Sequence, residues 1–185
     1  TMNRYHVKKI LTTCPHCFTT LRNEYPQFGG NFEVLHQTEF LYDLVKHQKL
    51  KLKRIDPITV IYHDSCYLGR YNQVYDAPRK VLDSVPGSQR AEVSEWSARN
   101  ALCCGGGGGF SFMEEKTGTR MSHNRSRQLL TTGADTVAVG CPFCMTMLED
   151  GVKTVAPEGK PPRVLDVAEV LAQAAIHTPV QESGR

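Results

Sequence analysis

Two adjacent cysteines, Cys103 and Cys104, run directly into five glycines at 105–109 and stand midway between two further cysteine positions. Cys66 precedes them with 36 residues intervening, and another 36 separate them from Cys141-Pro142-Phe143-Cys144. Five of the seven cysteines thus form one spaced constellation. Thiolates gathered this way are the usual ligands of iron–sulfur clusters or zinc. A fold that uses them must bring positions 66, 103–104 and 141–144 together. Adjacent cysteines do not easily serve one zinc ion, whereas they can reach different irons of one cluster. The plain alternative, five buried structural thiols, leaves the spacing unexplained.

A shorter pattern occurs twice. Lys8–Thr13 reads as a strand entering Cys14-Pro15-His16-Cys17, and Thr136–Gly140 as a strand entering Cys141-Pro142-Phe143-Cys144. Each CPxC leads into a helical stretch, Phe18–Tyr25 in the first copy and Met145–Val152 in the second. A short apolar segment and a second helix follow: Phe32–Leu35 with Thr38–His47, and Arg163–Leu165 with Val167–Ile176. This match predicts an internal repeat and two pseudo-twofold modules. The first copy lacks counterparts of Cys66 and of the cysteine pair, so Cys14 and Cys17 are expected to be half of a site. The chain is then expected to be the C-terminal portion of a longer polypeptide. Its expected parts are 1–54, the tail of a first module; 55–177, a complete second module; and 178–185, a disordered tail.

Between the copies, Thr59–Tyr62 is an apolar strand before His63-Asp64-Ser65-Cys66. Asp76–Val85 has helical spacing and stops at Pro86-Gly87. Ala91–Val93 is expected to be a short strand, and Phe112–Leu130 a longer helix weakened by Gly118. Alternating strands and helices predict an α/β fold with a mostly parallel sheet flanked by helices. The cysteines then fall at strand C-terminal ends and helix N-termini, where ligands gather in such sheets and where a thiolate is stabilised.

Hydrophobic residues make up 40% of the 185 residues, enough for a core. The net charge of +3 is too mild to argue for nucleic acid, and the basic run Lys46, Lys49, Lys51, Lys53 and Arg54 reads as a solvated helix end or loop. No apolar stretch approaches the roughly 18 residues that a membrane helix needs, and no signal peptide is visible. An odd cysteine count without the spacing of a secreted scaffold predicts reduced thiols in a cytoplasmic setting.

Cys66, Cys103-Cys104-Gly105 and Cys141-Pro142-Phe143-Cys144 together resemble the CCG, or cysteine-rich, domain of heterodisulfide reductase-like iron–sulfur oxidoreductases. The resemblance covers Thr59–Ala175 in full and Tyr5–His47 as the tail of a preceding unit. His63–Asn72 with Tyr75–Arg79, Gly140–Cys144 and Leu165–Glu169 look most like the membrane oxidoreductases that pass electrons from electron-transfer flavoprotein to quinone. Ser65 stands where many relatives have proline. The resemblance implies a metal set of Cys66, Cys103, Cys104, Cys141 and Cys144, with Cys14 and Cys17 belonging to the incomplete copy. The implied cofactor is a noncubane [4Fe-4S] cluster, with zinc as the alternative. The implied partners are a flavoprotein or dehydrogenase donor and further redox domains of the same protein or complex, without nucleic acid. Membrane association would come only through segments outside this sequence, and the location would be cytoplasmic, at the inner face of the cell membrane. Three other readings stay open: a heterodisulfide- or thiol-reducing catalytic component, a zinc-binding structural module, and direct thiol–disulfide chemistry at Cys14 and Cys17.

Gly105, Gly106 and Gly107 are expected to let backbone approach the cofactor and aim N–H groups at it. No Gly-Lys-Ser/Thr follows, which excludes a phosphate-binding P-loop. His63, Asp64 and Arg70 either act near the cluster or satisfy backbone groups at a strand end. Tyr67, Phe110 and Phe143 are expected to shield the site from water. His16 reads as a spacer and His123 as a surface residue; no catalytic residue is assigned.

Overall fold

The computed structural model describes residues 1–113, 115, 117–157 and 161–176. The expected disordered tail at 178–185 lies outside them. Six strands are described: β1 (Lys9–Thr12), β2 (Glu33–His36), β3 (Ile58–Tyr62), β4 (Ser88–Ala91), β5 (Thr136–Val139) and β6 (Arg163–Asp166). The α-helices are α1 (Pro15–Thr19), α2 (Gln37–Lys46), α3 (Cys66–Gly69), α4 (Asp76–Asp83), α5 (Met121–Leu130), α6 (Pro142–Val155) and α7 (Val167–Ala174). Two parallel sheets result, one of order β1-β2 and one of order β4-β3-β5-β6, each covered by helices. This is the expected α/β class.

The larger sheet is buried on both faces, so its central strands read as apolar runs rather than alternating ones. Ile61, Val137 and Val139 face one side and pack with Leu129, Met147, Leu148 and Val152 of α5 and α6. Val60, Tyr62 and Ala138 face the other and pack with Val81 and Leu82 of α4 and Val170 and Leu171 of α7. The small sheet joins the large unit in two places. Leu41, Tyr42 and Val45 of α2 pack on the α4–α7 side of the core, and Phe18 and Val34 pack with Leu68 of α3.

The chain leaves β3 for β4 on one side and returns through α5 to β5 on the other. The crevice beyond the carboxyl ends of β3 and β5 is therefore a topological switch point, the place where parallel sheets bind ligands. Cys66 follows β3 and Cys141 follows β5.

Three elements depart from the sequence expectation. The long helix at Phe112–Leu130 is confined to Met121–Leu130; Gly118, with φ +71°, takes a left-handed turn that ends any continuity. The strand expected at Ala91–Val93 lies instead at Ser88–Ala91, a half-exposed edge strand without an apolar signature. The helical stretch expected at Phe18–Tyr25 begins earlier, at Pro15, and passes through a π segment at Thr20–Glu24 into a 3-10 turn at Tyr25–Phe28.

Candidate metal centre

Each CPxC turn is built the same way. Cys141 is the N-cap of α6, Pro142 occupies the first turn and Cys144 follows inside it. Proline fits there because the first-turn N–H groups have no partner within the helix. Cys14 caps α1 with Pro15 at the corresponding place. Cys66 opens α3, so its thiol also lies at a helix start.

The fold brings all five expected cysteines together. The Cys66 thiol interacts with Cys103, Cys103 with Cys104, Cys104 with Cys144, and Cys144 with Cys141. Cys104, Cys141 and Cys144 are buried, Cys66 and Cys103 are half-buried, and all are free thiols. Crowding splits their acidities. The neighbouring thiols of Cys104 and Cys66, helped by the Gly105 N–H, pull Cys103 down to about 2. The same contact with Cys103 pushes Cys104 up to about 12. Cys144 is raised by Cys104, by Cys141 and by burial, while Cys141 is lowered by Cys144 and by the N–H groups opening α6. Such mutual repulsion between neighbouring thiolates is relieved by a bound cation. The donor set fits a polynuclear thiolate-bound group.

The glycine run divides by role. The Gly105 N–H donates to Cys103 Sγ at 3.3 Å. Gly105 has φ +87°, and a Cβ there would come within 2.8 Å of Met121 Cβ. A Cβ on Gly106 would lie 3.1 Å from Met147 Cγ and 3.7 Å from Cys104 Sγ. Gly107 has open space around it and lines a cavity of about 630 Å³ beside Cys103, together with Phe110, Glu115 and Met121.

Of the flanking residues, Asp64 and Arg70 serve the fold. Both oxygens of buried Asp64 accept from Arg79, at 2.6 and 2.8 Å, and one also accepts from the Ala98 N–H. Arg70 donates to the Ala101 carbonyl just ahead of the cysteine pair. His63 differs: it is fully buried, and a ring nitrogen lies within 4.8 Å of the Cys104 and Cys144 sulfurs. Burial first, and the Arg125 charge second, depress it to about 3, so the ring is neutral.

His16 is more than a spacer. Its ring lies 4.0 Å from that of Tyr67 and 5.0 Å, edge-on, from that of Phe143. It therefore spans residues adjoining Cys66 and Cys144. Cys14 lies close enough to Cys141 to feel its charge, and its Sγ is 3.7 Å from His16 Nδ1. Cys17 is exposed. Phe143 and Phe110 are 37% and 50% exposed, so the aromatic cover is partial. Sequence reasoning also missed Arg125, fully buried on α5. Its only signal was an arginine facing inward on a weakly amphipathic helix.

The family model described as "CCG: Cysteine-rich domain" matches residues 60–149, the stretch that holds all five clustered thiols. The probable iron-sulfur-binding oxidoreductase FadF of Bacillus subtilis is 46% identical over 170 residues, covering 92% of this chain and 24% of the relative. The EtfAB:quinone oxidoreductase of Syntrophomonas wolfei is 47% identical over 179 residues, covering 93% and 25%. A component of the dihydromethanophenazine:CoB–CoM heterodisulfide reductase of Methanosarcina barkeri is 36% identical over 170 residues, covering 90% and 41%. The chain thus spans about a quarter of the length of the first two relatives. Residues 60–149 are thus a CCG cysteine-rich domain.

Proposed function

We propose that this chain is part of an iron–sulfur oxidoreductase that passes electrons between a flavoprotein or dehydrogenase and a membrane quinone. Cys66, Cys103, Cys104, Cys141 and Cys144 would hold a noncubane [4Fe-4S] cluster within a module at 55–177. Cys14 and Cys17 would belong to the tail of a preceding module at 1–54. The observation that carries the reading is the unbroken run of interacting thiols from Cys66 to Cys141 at the switch point of the sheet. When bound, the cluster supplies one-electron chemistry. The protein's part is to bury its sulfurs, direct the Gly105 N–H at one of them and limit water through Tyr67, Phe143 and His16. The names of the similar proteins favour an electron-transfer role, and EtfAB:quinone oxidoreductase favours a flavoprotein donor and a quinone acceptor. Among the described residues no helix is long and apolar enough to cross a membrane. Contact with quinone in the bilayer would then be made by other parts of the assembly, at the inner face of the membrane.

The cavity beside Cys103 favours a second reading, reduction of a thiol-derived disulfide at the same site. The heterodisulfide reductase component among the similar proteins is in line with it. The deciding measurement is iron, acid-labile sulfide and zinc content, with EPR, on protein prepared without oxygen. About four irons with matching sulfide per chain are expected. About one zinc with no sulfide, persisting after reconstitution, would replace the redox reading with a structural zinc module.

A further inference from the structure

His63 ends the segment that leaves β3, and its backbone N–H still donates to the Ala138 carbonyl at 2.8 Å. The ring is fixed from one side by Arg125, whose Nε donates to His63 Nδ1 at 3.2 Å. The same guanidinium donates to the Trp96 carbonyl at 2.9 Å and to Gln128 Oε1 at 3.1 Å, so it is held in place. A guanidinium has only donors. Nδ1 must therefore present its lone pair, which leaves the ring proton on Nε2. Nε2 is buried and has no hydrogen-bond partner among the described residues. Buried donors rarely go without an acceptor; a ring nitrogen of His63 lies within 4.8 Å of the sulfurs of Cys104 and Cys144, and with Nδ1 taken by Arg125, Nε2 is the nitrogen left to serve them.

We infer that His63 Nε2–H donates a hydrogen bond to a sulfur of the cluster centre, and that Arg125 is the positioning residue that fixes this tautomer. The inference rests on the cluster reading above. It makes His63 a donor rather than a metal ligand, because a ligand would need the Nε2 lone pair that this tautomer lacks. A hydrogen bond to sulfur favours the more electron-rich state and raises the reduction potential. The buried positive charge of Arg125 acts in the same direction.

The test is an EPR-monitored redox titration of the whole chain, carried out anaerobically alongside iron and sulfide analysis and nitrogen hyperfine spectroscopy. His63→Phe is expected to keep iron and sulfide content and to shift the one-electron equilibrium about tenfold towards the oxidised state, a fall of 59 mV. His63→Gln, which restores an N–H, is expected to recover part of that shift. Arg125→Met is expected to lower the potential as well, and it serves if His63→Phe does not fold. A potential unmoved in the histidine variants overturns the inference and leaves the cluster reading intact. So does the strong nitrogen coupling of a directly bound imidazole, or loss of an iron with His63→Phe. Wild-type protein that takes up zinc and no sulfide overturns both.

Discussion

His36 ends β2 and serves as the N-cap of α2, where Nδ1 accepts from the Thr38 N–H at 3.3 Å and Nε2 faces the Thr13 carbonyl at 3.3 Å. Burial outweighs these contacts and pushes the ring down to about 4, so His36 is folded in its neutral form. An unfolded histidine takes its proton near pH 6.5. Between that value and about 4 the unfolded chain binds the extra proton, so stability rises with pH and is lost on acidification. His36→Asn keeps a good capping group and removes the titration. Between pH 7 and pH 5 this variant is expected to lose about 2 kcal/mol less stability than the parent. Parallel urea unfolding at the two values measures the difference, and equal losses would show that His36 is not the titrating group.

At the scale of elements, helices α5 and α6 meet at Gly151. Alanine in the middle of a helix ordinarily gains about 1 kcal/mol over glycine. Here a Cβ would clash with Ser126 Oγ and lie 2.9 Å from the Ser122 carbonyl oxygen, and the latter is backbone that cannot swing away. Gly151→Ala is therefore expected to destabilise by about 1–3 kcal/mol, read as a fall in unfolding midpoint; a rise would mean that α5 yields freely. The same pairing explains what was legible in the sequence. The CPxC turns were readable because proline after a capping cysteine marks a helix start on its own. Both following strand–helix corners carry a capping box, His36 with Glu39 and Asp166 with Glu169, and their apolar periodicity was clear. β4 was misplaced because Ser88-Gln89-Arg90-Ala91 pairs only with β3 at the sheet edge and needs no apolar pattern there. The five thiols were legible from spacing alone. Arg125, His63 as a donor and the place of His16 were not, because each depends on an element distant in sequence.

For the whole molecule, the open question is what residues 1–54 contribute to a site whose five thiols all lie beyond them. They cover the α4–α7 side of the core with Leu41, Tyr42 and Val45, and they pack Phe18 and Val34 on Leu68. They also set His16 against Tyr67 and Phe143, which adjoin Cys66 and Cys144. A chain beginning at residue 55 keeps every clustered thiol but exposes those surfaces. It is expected to lose on the order of 3 kcal/mol or more of unfolding free energy, since each large apolar side chain uncovered costs about 1.5–3 kcal/mol. Prepared without oxygen, it is expected to hold the same iron and sulfide per chain as the full sequence, and to bleach several-fold faster in air because His16, which packs on Tyr67 and Phe143 beside the sulfurs, is gone. Equal bleaching rates would mean that His16 shields nothing. Failure to assemble any cluster, in a truncated chain shown by circular dichroism to be folded, would mean that residues 1–54 contribute to the centre itself. Cys14, beside Cys141, would then be the first residue to test by substitution.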